Sequence, residues 1–168
     1  MKNYKIYKNI ISNIECNILN NWILENKDTP IFKEVNMGGI RRSTRFTESD
    51  SFKFPKLAYE LQERIISILN LKNFIFPPYK DGMVVSYALP GDTCYEHKDP
   101  QWDPNKKTIH CNIALTNFEG GEPYIENEII TNFNQRDMIC YTVSEVNHGS
   151  QLITGNISRN LWIFGFCV

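Results

Sequence analysis

Between Ser12 and Asn26 the apolar residues Ile14, Ile18, Leu19, Trp22 and Ile23 recur at helical spacing. Ser12 followed three positions later by Glu15 is the hydroxyl-then-glutamate signature of a helix start. The pattern predicts an amphipathic helix over residues 12–26, stopped by Asp28-Thr29-Pro30. A second stripe, Leu57, Leu61, Ile65, Ile68 and Leu69, follows Pro55, which a first helical turn tolerates, and predicts a helix to about Asn70. Residues 31–54 have no clean period. Asn36-Met37-Gly38-Gly39 has turn chemistry, and Ile40 to Phe46 fits either a short strand or a loop.

Beyond residue 72 the period shortens. Runs at Phe74–Phe76, Met83–Leu89, Thr108–Asn117, Glu122–Ile130, Asp137–Tyr141, Gln151–Ile153 and Arg159–Val168 are separated by Gly, Pro, Asn and Asp turns. Runs of that length and spacing predict a β-sandwich or barrel. With two helices ahead of them, the expected fold is mainly β with flanking helices, a jelly roll whose N-terminal helices pack on the outside of one sheet. No Pro-, Gly- or Ser-rich linker divides the chain. A single domain over 1–168 is expected, with 1–72 mostly helical support and 73–168 the jelly-roll core.

Composition narrows the setting. The hydrophobic fraction of 42% is ordinary for a globular chain, and a net charge of −1 gives no general attraction to nucleic acid or anionic membrane. The five cysteines are odd in number and irregularly spaced, which points to reduced thiols and a cytoplasmic protein. No signal-peptide pattern opens the chain, and no apolar stretch approaches the roughly 18 residues of a membrane span.

The candidate chemistry starts at His97-Lys98-Asp99. Side chains two apart on an extended strand point to one face, so His97 and Asp99 converge there. His148, in Val146-Asn147-His148-Gly149 at an expected strand end, is available as a third ligand. Two imidazoles and one carboxylate on one face of an octahedron leave open positions suited to non-heme Fe(II). Arg159 opens the last apolar strand, where a guanidinium would be costly to bury without an anion, and its fork matches a carboxylate. His110 is expected to line a cavity or serve structure rather than bind metal. The Cys94/His97 and His110/Cys111 pairs lack the Cys-x-x-Cys spacing of a closed zinc site. Trp102 either covers a substrate or anchors its loop. Arg41, Arg42 and Arg45 fit a solvated basic loop more readily than a site for an acidic group on the substrate. Trp162, Phe164 and Phe166 fit core.

Taken together, Tyr87-x-x-Pro90-Gly91, His97-x-Asp99, Gly120-Gly121-Glu122, His148 and Arg159 form an ordered pattern over residues 83–168. It resembles the Fe(II)/2-oxoglutarate-dependent dioxygenase superfamily, and within it the prolyl-4-hydroxylase-like branch. The resemblance implies a double-stranded β-helix, with His97, Asp99 and His148 holding Fe(II). It implies that Arg159 pairs with the distal carboxylate of 2-oxoglutarate and that Tyr87 donates a hydrogen bond beside that cosubstrate. Many members of that branch carry Lys where this chain has Arg159. The implied reaction consumes O2, with ascorbate as an accessory, and hydroxylates an unactivated C–H of an amino-acid side chain, peptidyl or free, releasing succinate and CO2. Retention of Asp99 argues against halogenation.

Three other readings compete. A nucleobase dioxygenase would carry Asn-x-Tyr and a second Arg six residues after the first, where this chain has Val85 and Gly165. A cupin-type binding module would show more histidines near the first strand pair and would not need Arg159. A zinc hydrolase on the same ligands would need a general base beside the metal.

Overall fold

The computed structural model describes residues 3–168. Its strands are β1 (Tyr4–Tyr7), β2 (Lys33–Asn36), β3 (Ile40–Ser43), β4 (Met83–Ala88), β5 (Cys94–His97), β6 (Thr108–Ala114), β7 (Pro123–Ile125), β8 (Glu128–Ile129), β9 (Met138–Thr142), β10 (His148–Ser150) and β11 (Arg159–Cys167). The helices are α1 (Asn13–Asn26) and α2 (Lys56–Leu69). The strands form two antiparallel sheets, a larger one ordered β1-β9-β6-β11-β4-β3-β2 and a smaller one ordered β5-β10-β7-β8. This is the expected jelly roll with flanking helices.

Both helices form where the sequence places them. The Ser12 side chain accepts the Glu15 N–H, and the Glu15 carboxylate accepts the Ser12 N–H at 2.7 Å, so two otherwise orphaned donors are satisfied reciprocally. Helix α2 ends on Asn70 at φ 50°, a left-handed position that asparagine tolerates. The helices bury Cys16, Leu19 and Ile23, and Ala58, Leu61 and Ile65, in one cluster with Met83, Val85, Ile113, Trp162, Phe164 and Phe166 of the larger sheet. Trp22 bridges the layers, its ring 5.4 Å from Trp162 and 5.5 Å from Phe54.

Strand β11 is buried along its whole length, because both of its faces are covered. Trp162, Phe164 and Phe166 face the helices, while Leu161 and Ile163 join Val84, Ala114, Ile125, Ile139 and Val143 in a second core.

The first 72 residues contribute more than helices. They supply β1, which pairs with β9, and the β2–β3 hairpin, which pairs with β4. The hairpin is pinned to β5 by the Tyr95 N–H donating to the Met37 carbonyl at 2.7 Å. Glycine is required at its tip, where a Cβ on Gly39 would lie 2.9 Å from the Thr93 nitrogen. The run at 122–130 is broken by left-handed Glu126 and Asn127 into the β7–β8 hairpin. His148 opens a strand rather than closing one, and Phe74–Phe76 contributes only an isolated bridge between Ile75 and Cys167. All five cysteines are free thiols, and among the described residues no helix is long and apolar enough to cross a membrane.

Candidate functional site

The inner faces of β3, β4, β6 and β11, together with β5 and β10, line a cleft. His97 and His148 are direct cross-strand partners on β5 and β10, with ring centroids 4.4 Å apart. Asp99 lies just past the end of β5, its N–H bonded to the Val143 carbonyl at 3.0 Å. Its carboxylate oxygens sit 3.7 Å from His97 Nε2 and 3.9 Å from His148 Nε2. One ligand atom from each of the three residues lies within 4.8 Å of the others.

The tautomers are set by the backbone. His97 Nδ1 is 2.9 Å from the Tyr95 carbonyl, and His148 Nδ1 is 3.1 Å from the Val146 carbonyl. A carbonyl only accepts, so each Nδ1 carries the hydrogen and each Nε2 lone pair is left toward Asp99. Burial drives the His148 pKa down to about 4, which keeps that ring neutral at ordinary pH. Burial opposes charge on Asp99 as well, but His110, Arg45 and His148 outweigh it and hold the carboxyl below the usual range. Arg45 grips both Asp99 oxygens, at 3.1 and 3.4 Å. Burial opposes charge on His97, but the Cys94 thiol and the Tyr95 carbonyl outweigh it and raise that pKa, so a metal would have to displace the proton from its Nε2. With that proton gone, two imidazoles and one ionised carboxylate are the donor set of a facial divalent-metal site, so the residues fit Fe(II).

Arg159 is 5% exposed and lines the same cleft. Burial, and then the neighbouring Arg41, lower its pKa to about 10. Its Nε has no hydrogen-bond partner, and its guanidinium carbon sits 5.5 Å from the Phe118 ring centre. Unpartnered buried atoms are concentrated in this cleft: Arg41 Nε, Ser86 Oγ, Asn112 Oδ1 and Arg159 Nε all belong to residues that line it. Buried polar groups are rarely left unmatched, and four converging on one space point to a polar ligand.

His110 lines the cavity beside Asp99, with Nδ1 3.5 Å from a carboxylate oxygen and Nε2 2.7 Å from the Tyr79 hydroxyl. Burial pushes its pKa down to about 3.

Tyr87 is the exception among the expected site residues. On β4, Val84 and Ser86 line the cleft, whereas Met83 and Val85 belong to the helix-side core and Tyr87 packs against it. Its ring lies beneath Lys27 Nζ, 5.6 Å away. The strand pleat therefore turns Tyr87 away from the place a cosubstrate would occupy. Parity also divides the basic segment: Arg41, Ser43 and Arg45 face the cleft, while Arg42 pairs outside it with Asp28 and the Lys27 carbonyl. Ser86 and Asn112 were not singled out by the sequence; with parity known, their positions on β4 and β6 would have marked them. Trp102 is 44% exposed and is not among the residues that line the cleft.

Two rival readings lose ground here. A Cβ at Gly165 would lie 2.5 Å from the Tyr79 hydroxyl, so the second arginine of a nucleobase dioxygenase has no room. Among the described residues, no carboxylate other than Asp99 lines the cleft to act as the general base of a zinc hydrolase.

The fold is shared with solved structures of hydroxylases and oxygenases. One solved structure with this fold is the viral collagen prolyl hydroxylase of Paramecium bursaria Chlorella virus-1 in its 2-oxoglutarate complex. It is 18% identical with a TM-score of 0.71, over 99% of this chain and 97% of that one. A Trichoplax adhaerens prolyl hydroxylase bound to a hypoxia-inducible-factor peptide fragment is 12% identical with a TM-score of 0.74, over 98% and 83% of the two chains. HygX of Streptomyces hygroscopicus, with nickel and 2-oxoglutarate, is 11% identical with a TM-score of 0.68, over 98% and 82%. No family model matches the sequence, and no curated protein matches it.

Proposed function

We propose that this chain is an Fe(II)- and 2-oxoglutarate-dependent dioxygenase that hydroxylates an unactivated C–H of an amino-acid side chain, peptidyl or free. The observation that carries the reading is one cleft holding both a preoriented His97–Asp99–His148 triad and a buried, unpaired Arg159. The structural neighbours bound to 2-oxoglutarate support the same cosubstrate.

His97 and His148 would present Nε2 to the metal while the Tyr95 and Val146 carbonyls hold their Nδ1–H groups. Asp99 would be the anionic ligand, kept ionised and oriented by Arg45. Arg159 would take the distal carboxylate of 2-oxoglutarate, with Ser86 and Asn112 offering hydrogen bonds along the cosubstrate. Iron held by His97, Asp99 and His148 would supply the site for oxidative decarboxylation of 2-oxoglutarate by O2, one oxygen atom going to succinate and the other to the substrate, with CO2 released.

The test is anaerobic addition of Fe(II) and 2-oxoglutarate to the full chain. A weak visible charge-transfer band and, on admitting air, succinate release are expected. Absence of the band at millimolar cosubstrate, with metal uptake intact, would overturn the reading in favour of a cupin-like binding module.

A further inference from the structure

Arg41 is not needed by the chemistry just described, yet it faces the same cleft. Its Nε is buried without a partner, and its one hydrogen bond among the described residues runs from Nη2 to the Thr93 carbonyl at 3.3 Å. Among the described residues no carboxylate pairs with it. Arg41 and Arg159 are both register partners of Ala88, one on each side of β4, so their Cα atoms lie two interstrand steps, roughly 10 Å, apart.

The charge balance points the same way. Arg41, Arg45 and Arg159 face the single carboxylate of Asp99 among the residues lining the cleft. A divalent metal and a doubly charged oxo acid cancel one another, so the surplus of two positive charges persists in the loaded site. Arg159 is buried and Arg41 half-buried with its Nε out of solvent, so an anion between them would relieve both. Val35, Met37 and Phe46, carried by the same N-terminal segment, supply apolar lining beside Arg41.

We propose that Arg41 is a substrate-specificity residue that holds a carboxylate of the molecule to be oxidised, whose apolar part lies against Val35, Met37 and Phe46. The inference rests on the oxygenase reading and narrows it to carboxylate-bearing substrates.

The experiment is calorimetric binding, without turnover, of the free L-amino acids and of tripeptides, each against its primary amide. The full chain is used both anaerobically loaded with Fe(II) and 2-oxoglutarate and in its metal-free form. At least one acid is expected to bind more tightly than its amide. An advantage confined to free amino acids names a small-molecule substrate; one shared by tripeptides names a peptide terminus. Arg41→Gln should reduce the acid's advantage at least about thirtyfold, the loss expected when one partner of a desolvated charge pair is removed. It should leave 2-oxoglutarate affinity within about twofold, and Arg41→Lys should retain most of the preference. Equal binding of acid and amide throughout, or an Arg41→Gln loss of 2-oxoglutarate binding as large as that of Arg159→Gln, would overturn the assignment. If the wild type takes up no 2-oxoglutarate, the oxygenase reading falls, while the acid–amide comparison on the metal-free chain still decides for or against Arg41.

Discussion

The two faces of the larger sheet are built from the same strands and behave oppositely. Toward the helices, Met83, Val85, Ile113, Trp162 and Phe164 make an apolar layer closed by Trp22 and Phe54. Toward the cleft, the alternate residues of those strands include Ser86, Asn112 and Arg159, each with a buried atom that has no partner. The helix face is apolar apart from the unpartnered Trp162 Nε1 and Asn160 Oδ1, whereas the other four unpartnered buried atoms among the described residues belong to residues that line the cleft. Strand alternation lets the chain place stability and recognition one residue apart.

The largest effect should come from the open face. Asp99→Asn removes the anionic ligand and should reduce succinate release at least about 100-fold, beyond the usual cost of disturbing a supporting contact. Its thermal midpoint should change little by comparison, and full activity in this variant would remove Asp99 from the site. The closed face should respond in the other currency. Trp162→Ala is expected to lose about 3–5 kcal/mol in urea unfolding, since the site is fully buried and ringed by aromatic neighbours. A loss below about 1 kcal/mol would mean that the helices are only loosely attached.

Arg159→Leu crosses the two. It replaces an unpaired buried charge by an apolar group, so the ligand-free chain should unfold at equal or higher urea, by about 1–2 kcal/mol. The same variant should need far more 2-oxoglutarate. Destabilisation without a change in cosubstrate requirement would make Arg159 a structural residue. The smallest effect concerns the helix layer. Ser12→Ala should cost about 1 kcal/mol. Its partner Glu15 is held at a pKa of about 2, chiefly by its hydrogen bond with Arg64. That contribution is therefore fully present above the ordinary value of 4.5 and disappears as the pH falls toward 2. A pH–stability profile of Glu15→Gln compared with wild type, flat over that window, checks the sign.

Legibility in the sequence followed the same division. Helices α1 and α2 were readable because capping and period are local signals. The His97–Asp99 convergence was readable because spacing along an extended segment is also local. Tyr87 was misplaced because Met83–Ala88 is mostly apolar on both faces, so alternation could not say which parity meets the cleft. Strand β2, Lys-Glu-Val-Asn, carries no apolar alternation and was invisible. Arg41 and Arg45 fitted a solvated loop, and only the docking of the β2–β3 hairpin on β5, a contact between residues far apart in sequence, turns Arg41 and the following Arg45 to the cleft.

The placement of β1 and of the β2–β3 ribbon has a practical consequence for anyone trimming the protein to a minimal catalyst. They lie along opposite rims of the larger sheet and cover the outward edges of β9 and β4. A fragment starting after α2 would expose rows of unsatisfied amides and carbonyls on both sides, a template for edge-to-edge polymerisation. The early strands thus cover the inner strands of the sheet as well as shaping the mouth of the cleft.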